Sequence, residues 1–265
     1  MDNITVYSVN NLPNGMIGLH TPLGEQLWNR THLKNTLMVE RYHKQTRPTY
    51  CGPASLALLI NALNLAYRVK YLQVQKKHGD EMKFFCEADR GRKFMLTEND
   101  IVNQTDVEAY LNTETDINHE GLAIQQLGNV ASILGLGVNL YYACGAGVCN
   151  STEMKEKLCD ATSSSDYVLK NVDQFRRVAS GLIQRPVTGV IVNYHLAMLG
   201  YLDLHGHFSP LAAYDVVSDR FLVMDVWMYT PPAWVKTDKL FRAMSSIDDG
   251  TSLPRGMLHI HELLV

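Results

Sequence analysis

Residues 45–62 read Gln45-Thr46-Arg47-Pro48-Thr49-Tyr50-Cys51-Gly52-Pro53-Ala54-Ser55-Leu56-Ala57-Leu58-Leu59-Ile60-Asn61-Ala62. From Gly52 onward, Ala54, Leu58 and Leu65 recur with Leu59 and Ala62 at helical spacing. Pro53 suits a first turn, because the amide hydrogen it lacks would have no partner there. The spacing therefore predicts a helix with Cys51 at its N-terminus.

A helix N-terminus carries unpaired amides and the positive end of the peptide dipole, so a thiol placed there is favoured as its thiolate. Cys51 has that placement; Cys86, Cys144, Cys149 and Cys159 do not. A lone cysteine is more often a small buried residue, so a nucleophile needs two further groups: a base within reach and a residue that orients the base.

The C-terminal third supplies both. Its runs VTGVIVNYHL, FSPLAAYDVV and FLVMDVW are short and β-rich, with Ser218-Asp219 as a hairpin turn between the last two. His207 enters one run and Asp225 lies mid-way along the next, so adjacent antiparallel strands would bring them together. A carboxylate inside FLVMDVW would be costly unpaired, and the expected donor is His207 Nδ1. Gln45, six residues before Cys51, is placed to join the Cys51 amide as an oxyanion donor.

Outward from these residues, Gly121 to Leu134 reads as a helix followed by the strand-like VNLYY. Phe175, Val178, Ala179 and Leu182 mark another helix that stops before Pro186. Thr97-Glu98-Asn99-Asp100 is a helix start, and the first 45 residues are expected to wrap the domain. Helices packed on an antiparallel sheet make an α+β fold, and the chain reads as one domain over residues 1–265. Two stretches read as insertions: 72–93, charged and irregular, and 144–165, small and polar and carrying three cysteines.

A net charge of -3 and a pI near 6.4 leave no electrostatic footprint for nucleic acid or an anionic membrane. The first residues have neither a basic nor an apolar leader segment and no stretch is long enough to span a membrane, so a cytoplasmic protein is expected. Five cysteines, an odd number at irregular spacing in a chain of this size, are expected to be reduced thiols. His205-x-His207 and His259-x-His261 invite a metal reading, but neither has a carboxylate or cysteine cluster beyond Glu262, and no metal site is expected.

With these residues in view, the segment Gln45 to Ser55 resembles the phytochelatin synthase nucleophile motif TQ-x-x-x-AYCG-x-AS. Gly206-His207-Phe208-Ser209-Pro210 through Met224-Asp225-Val226 resembles that family's GH[FI]SP…LDV block. Similarity extends through Thr21-Pro22-Leu23-Gly24, Val190 to Tyr194, Pro231 to Val235 and Ala243 to Asp248, nearly the whole chain. The resemblance implies a papain-like α+β fold with Cys51 as nucleophile, His207 and Asp225 completing the triad, and Gln45 with the Cys51 amide as oxyanion hole. It implies attack on the Cys–Gly amide of glutathione or a related thiol peptide, release of glycine, and passage of the γ-glutamylcysteinyl group to water or a second glutathione. The triad needs no cofactor; heavy-metal ions such as cadmium or zinc would act through metal-thiolate substrates, and a homodimer is allowed. The resemblance implies a short, single-domain form like that typical of bacteria.

The chain departs from the pattern in two ways. Trp227-Met228-Tyr229-Thr230 stands where the family has D-V-x-R-[YF]-K-Y-P-P, removing two cations, and Arg47 replaces a glutamate. Each lost charge-assisted bond to a substrate carboxylate is worth about 1.5–3 kcal/mol. A protease, deamidase or acyltransferase acting on a protein is the alternative enzyme reading, and a non-catalytic thiol or metal-binding module the alternative of another class.

Overall fold

The structure is a computed structural model that describes residue 8 and residues 12–66, 69, 95–161, 167–202 and 205–263. The stretch read as an insertion at 72–93, Cys86, and residues 162–165 of the second insertion lie outside the described residues.

In chain order the elements are β1 (Ile17–Gly18), α1 (Pro22–Arg30), β2 (Leu33–Lys34), α2 (Thr36–Glu40), α3 (Cys51–Ala62), α4 (Glu98–Val102) and α5 (Thr105–Glu114). They continue with α6 (Ile124–Ile133), β3 (Leu136–Ala143), α7 (Thr152–Ala161), β4 (Tyr167–Leu169), α8 (Val172–Ile183), β5 (Thr188–His195) and β6 (Gly206–Asp215). The last are β7 (Arg220–Val223), β8 (Ala233–Lys236), α9 (Thr237–Met244) and β9 (Gly256–Glu262). Side-chain caps start several helices. Thr21 caps α1 with Pro22 in its first turn, Asn35 caps α2, Asn171 caps α8, and Thr97 forms a reciprocal capping box with Asp100 at α4.

Among the described residues the strands form one nine-stranded sheet in the order β1-β8-β7-β6-β5-β9-β3-β4, with β2 also on β6. All pairings are antiparallel except β3 with β4. Strand alternation divides the apolar side chains between two cores. Ile191, Phe208, Ala212, Leu222 and Leu258 face the core that holds α3, whereas Val190, Val192, Leu211, Phe221 and Met257 face the one that holds Phe175 of α8 and Phe241 of α9. Helices on a mainly antiparallel sheet are the α+β architecture expected.

α3 is the central helix, and every one of its residues is buried. A helix that is apolar nearly all round has no face for solvent and must be enclosed on all sides, its two polar side chains Ser55 and Asn61 being hydrogen-bonded inside. Ser55 Oγ donates to the Phe208 carbonyl of β6 at 3.0 Å, and Gly189 on β5 has no side chain because a Cβ there would lie 2.2 Å from Leu59 Cδ1. The nucleophile's helix is thereby fixed against the two strands that lead to His207.

Two sequence expectations about the fold need correction. β7 ends at Val223, so Asp225 lies beyond the strand and not mid-way along it; the chain turns away after Met224, whose amide still bonds Pro210 O. Within the 144–165 segment, Gly145–Gly147 forms a 3₁₀ turn and α7 follows. Cys144 and Cys149 are bonded to each other as a disulfide, with Cα atoms 5.3 Å apart, instead of standing as free thiols.

Candidate active site

Cys51 is the first residue of α3, and Tyr50 before it offers no side-chain cap, so the leading amides of the helix stay available. The approach to Cys51 is held by polar contacts. Gln45 N–H donates to Val226 O at 2.8 Å, Thr46 donates through N–H and Oγ1 to buried Glu98 at 2.6 and 2.7 Å, and Arg47 reaches Tyr50 OH and Asn118 Oδ1, each at 3.1 Å. Glu98 thus spends a buried carboxylate on positioning the nucleophile's turn.

β6 carries His207 opposite Tyr194 of β5, and the chain leaving β7 returns Asp225 beneath the ring. His207 Nε2 bonds Asp225 Oδ1 at 2.9 Å, both groups being buried, and the ring also hydrogen-bonds the Cys51 side chain. The nitrogen that meets the carboxylate is therefore Nε2, not the Nδ1 anticipated from the sequence. Asp225 Oδ1 also accepts from the Trp227 amide at 2.9 Å, and Tyr42 OH donates to the Asp225 carbonyl. The Trp227 ring stands edge-on to the imidazole, centroids 6.0 Å apart, and shields the pair from water.

Burial alone would lower the pKa of His207. The negative charge of Asp225 and the hydrogen bonds with Asp225 and Cys51 outweigh it and push the ring up to about 10. His207 is accordingly held as an imidazolium near neutral pH, a proton donor poised beside the sulfur.

Gln45 makes local contacts. Its Nε2 hydrogens go to the carbonyls of Arg47 and Pro48, at 2.8 and 2.9 Å, so the side chain braces the turn before Cys51.

Cys51, His207, Trp227 and Tyr229 open on a cleft of about 830 Å³. Its opposite wall brings Asp248, Asp249 and Arg255 from the turn before β9. Arg255 is buried; NH1 bonds Ser246 Oγ at 3.2 Å, NH2 bonds Asp248 at 3.2 Å, and Nε has no partner. Nothing in the sequence around Arg255 singled it out. Glu98 was visible only as a helix-start residue, and Trp227 only as a departure from a motif.

The two His-x-His pairs do not meet. His205 lies on the rim of the cleft, whereas His259 and His261 sit on β9 with rings 5.0 Å apart, and no group of three metal-ligating side chains occurs among the described residues.

A thiol at the head of a buried helix, next to an imidazole–carboxylate pair carried on the following sheet, is the arrangement of a papain-like α+β fold. The family sequence model described as phytochelatin synthase matches residues 7–257, and the chain belongs to that family. It is 26% identical over 227 residues to glutathione gamma-glutamylcysteinyltransferase 3 of Lotus japonicus, covering 85% of this chain and 37% of the relative. Against glutathione gamma-glutamylcysteinyltransferase 1 of Arabidopsis thaliana the identity is 24%, with 89% and 40% covered; against the Triticum aestivum protein of that name it is 41%, with 83% and 34% covered. The chain spans about two-fifths or less of the length of these relatives.

Proposed function

We propose that this chain cleaves the Cys–Gly amide of glutathione-type peptides, releasing glycine through a γ-glutamylcysteinyl thioester on Cys51. The observation that carries the reading is the bonded series Cys51, His207 and Asp225, with the imidazole proton held up to about 10. The relatives' names supply the substrate class.

The Cys51 sulfur attacks the carbonyl carbon, and the oxyanion forms against the Cys51 amide. His207 gives its proton to the leaving glycine nitrogen, then takes one from the attacking water, or from the amine of a second peptide, as the thioester is resolved. Asp225 keeps the ring oriented and charged through both steps. Gln45 adds a donor only if it turns from Arg47 and Pro48.

The γ-glutamyl end of such a peptide carries an α-carboxylate and an α-ammonium. Arg255, which lines the cleft, matches the carboxylate, and Asp248 and Asp249 beside it match the ammonium. A cation from this turn answers the charge missing after Asp225, which favours a small zwitterionic peptide over a protein substrate. Cadmium or zinc would enter as thiolate-bound cargo of that substrate.

Mass spectrometry of glutathione incubated with the protein tests the reading. Released glycine is expected from wild type and none from Cys51→Ala; no glycine from wild type would overturn it. Arg255→Ala is expected to raise KM by roughly 10–100-fold, the loss of one charge-assisted bond, with a smaller change in kcat.

A further inference from the structure

The turn that carries Arg255 is tied to the Cys144–Cys149 loop. Ala143 N–H, immediately before Cys144, donates to Arg255 O at 2.8 Å. Gly145 N–H, immediately after it, donates to Ser245 Oγ at 3.1 Å, and a Cβ on Gly145 would stand 2.5 Å from that oxygen and 2.8 Å from Phe241. The neighbouring Ser246 then holds Arg255 twice, accepting NH1 on its hydroxyl and the Arg255 amide on its carbonyl at 2.9 Å. The disulfide thus closes the short loop that pins both ends of the arginine's turn.

The two sulfurs are unequally placed. Cys144 is buried in the core, whereas Cys149 is partly exposed. A thiolate from solvent can reach Cys149, and the leaving sulfur is then Cys144.

We infer that Cys144–Cys149 is a thiol-exchange site for peptides of the substrate's own chemical class, and that its state sets the affinity of the Arg255 side of the cleft. The inference rests on the proposed reaction. One peptide thiolate attacks Cys149 Sγ; the Cys144–Cys149 bond breaks as a mixed disulfide forms on Cys149, and its electron pair leaves on Cys144. A second peptide thiolate attacks the peptide sulfur of that mixed disulfide and frees Cys149. Two peptide thiols are oxidised to their disulfide, the protein disulfide gains two electrons, and the two thiol protons end on Cys144 and Cys149. The opened loop no longer fixes Ser245 and Ala143, and Arg255 loses its rigid mount.

The test uses the full chain carrying Cys51→Ser, so that bound peptide is not turned over, and S-methylglutathione as the binding probe, which cannot exchange. Peptide mapping in thiol-free buffer should find Cys144 joined to Cys149, and brief millimolar glutathione should give the mixed disulfide on Cys149 before both thiols appear. Calorimetry should then give a Kd weaker by about fivefold after phosphine reduction, at the low end of coupling between distinct sites. Cys144→Ser/Cys149→Ser on the same background should bind like the reduced form with or without phosphine, at an unchanged circular dichroism spectrum. Free thiols in thiol-free buffer, a bond that resists glutathione, or equal Kd values in the two forms would each overturn the inference. Absence of binding in both forms overturns the glutathione reading and the coupling with it, whereas equal binding overturns the coupling alone.

Discussion

His207 and His259 flank the same strand, β5, from opposite sides, one paired across to Tyr194 and the other to Val190, and each has a second histidine two residues away. Both rings are buried. Burial, then the neighbouring His261 and Arg185, push His259 down to about 4. Burial pushes His207 the same way, and Asp225 reverses the outcome, to about 10. His259 Nδ1 meets the Asn139 side-chain oxygen at 3.1 Å, an amide where His207 has a carboxylate. One charged oxygen therefore separates a proton donor from an inert core histidine.

The strongest way to break the contrast is Asp225→Asn, which gives His207 the kind of partner His259 has. The ring should then titrate below 6.5, and kcat/KM for glycine release should fall by roughly 10²–10⁴-fold, as expected for loss of a proton-transfer group's orienting partner. Ring titration by NMR beside a pH–rate profile measures both; a ring still near its wild-type value would show that Asp225 does not set the charge of His207. The sign for stability follows from the raised pKa. The pair stabilises the fold fully below 6.5 and its contribution is lost as pH rises through about 10. Asp225→Asn should lack that alkaline loss.

Trp227→Ala probes the same pair without removing a charge. Water reaching the imidazole–carboxylate pair raises the local dielectric and weakens the attraction. The His207 pKa should move toward 6.5, with kcat lower by about tenfold, or about 1.4 kcal/mol in the barrier. Trp227→Phe should recover most of the activity, since it keeps an aromatic ring beside the imidazole.

The parts of this site legible in the sequence were those encoded locally. A proline at the first turn and an apolar run fixed α3, and so the placement of Cys51. Alternating β-rich runs placed His207 on a strand, and the cost of a lone buried carboxylate pointed to its bond with Asp225. What could not be read is what the tertiary structure assembles from distant pieces. Arg255 reaches the cleft because β9 inserts between β3 and β5, and Glu98 reaches Thr46 because α4 packs on α3. The ring nitrogen that faces Asp225 depends on a side-chain rotation that no spacing specifies. The partners of Gln45 were unreadable for a related reason: its place six residues before Cys51 was visible, but not that the nearby carbonyls of Arg47 and Pro48 take its Nε2 hydrogens. The Cys144–Cys149 bond goes with a 3₁₀ turn over Gly145–Gly147, which the four residues between the cysteines do not announce.

Installing the missing charge on the other ring tests the contrast from its inert side. Asn139→Asp should raise the His259 pKa by about 1–3 units, the usual effect of an opposite charge at hydrogen-bond distance. Glycine release should not change, because neither residue lines the cleft. An unmoved His259 would show that burial, and not the partner, decides the state of both rings.

The smallest effect concerns acid stability. A ring whose folded pKa lies at about 4 stabilises the fold above 6.5, and that contribution is lost as pH falls from 6.5 to about 4. Two carboxylates act lower. Burial raises Asp215, but its bonds to Arg30 and Ser218 lower it further, to about 2; Asp219 is held at about 2 by its bond to Arg176 against a smaller effect of burial. Their contribution is present above 3.8 and disappears as pH falls through about 2. Acid destabilisation should therefore come in two stages, the first owed to His259. His259→Gln should flatten only that first stage, by roughly 2–4 °C in Tm between pH 6.5 and 4, and leave the carboxylate stage in place. Thermal melts followed by circular dichroism would resolve it. Should the first stage persist in His259→Gln, the depressed titration belongs to another group, and His259 would cease to be the counterpart of His207.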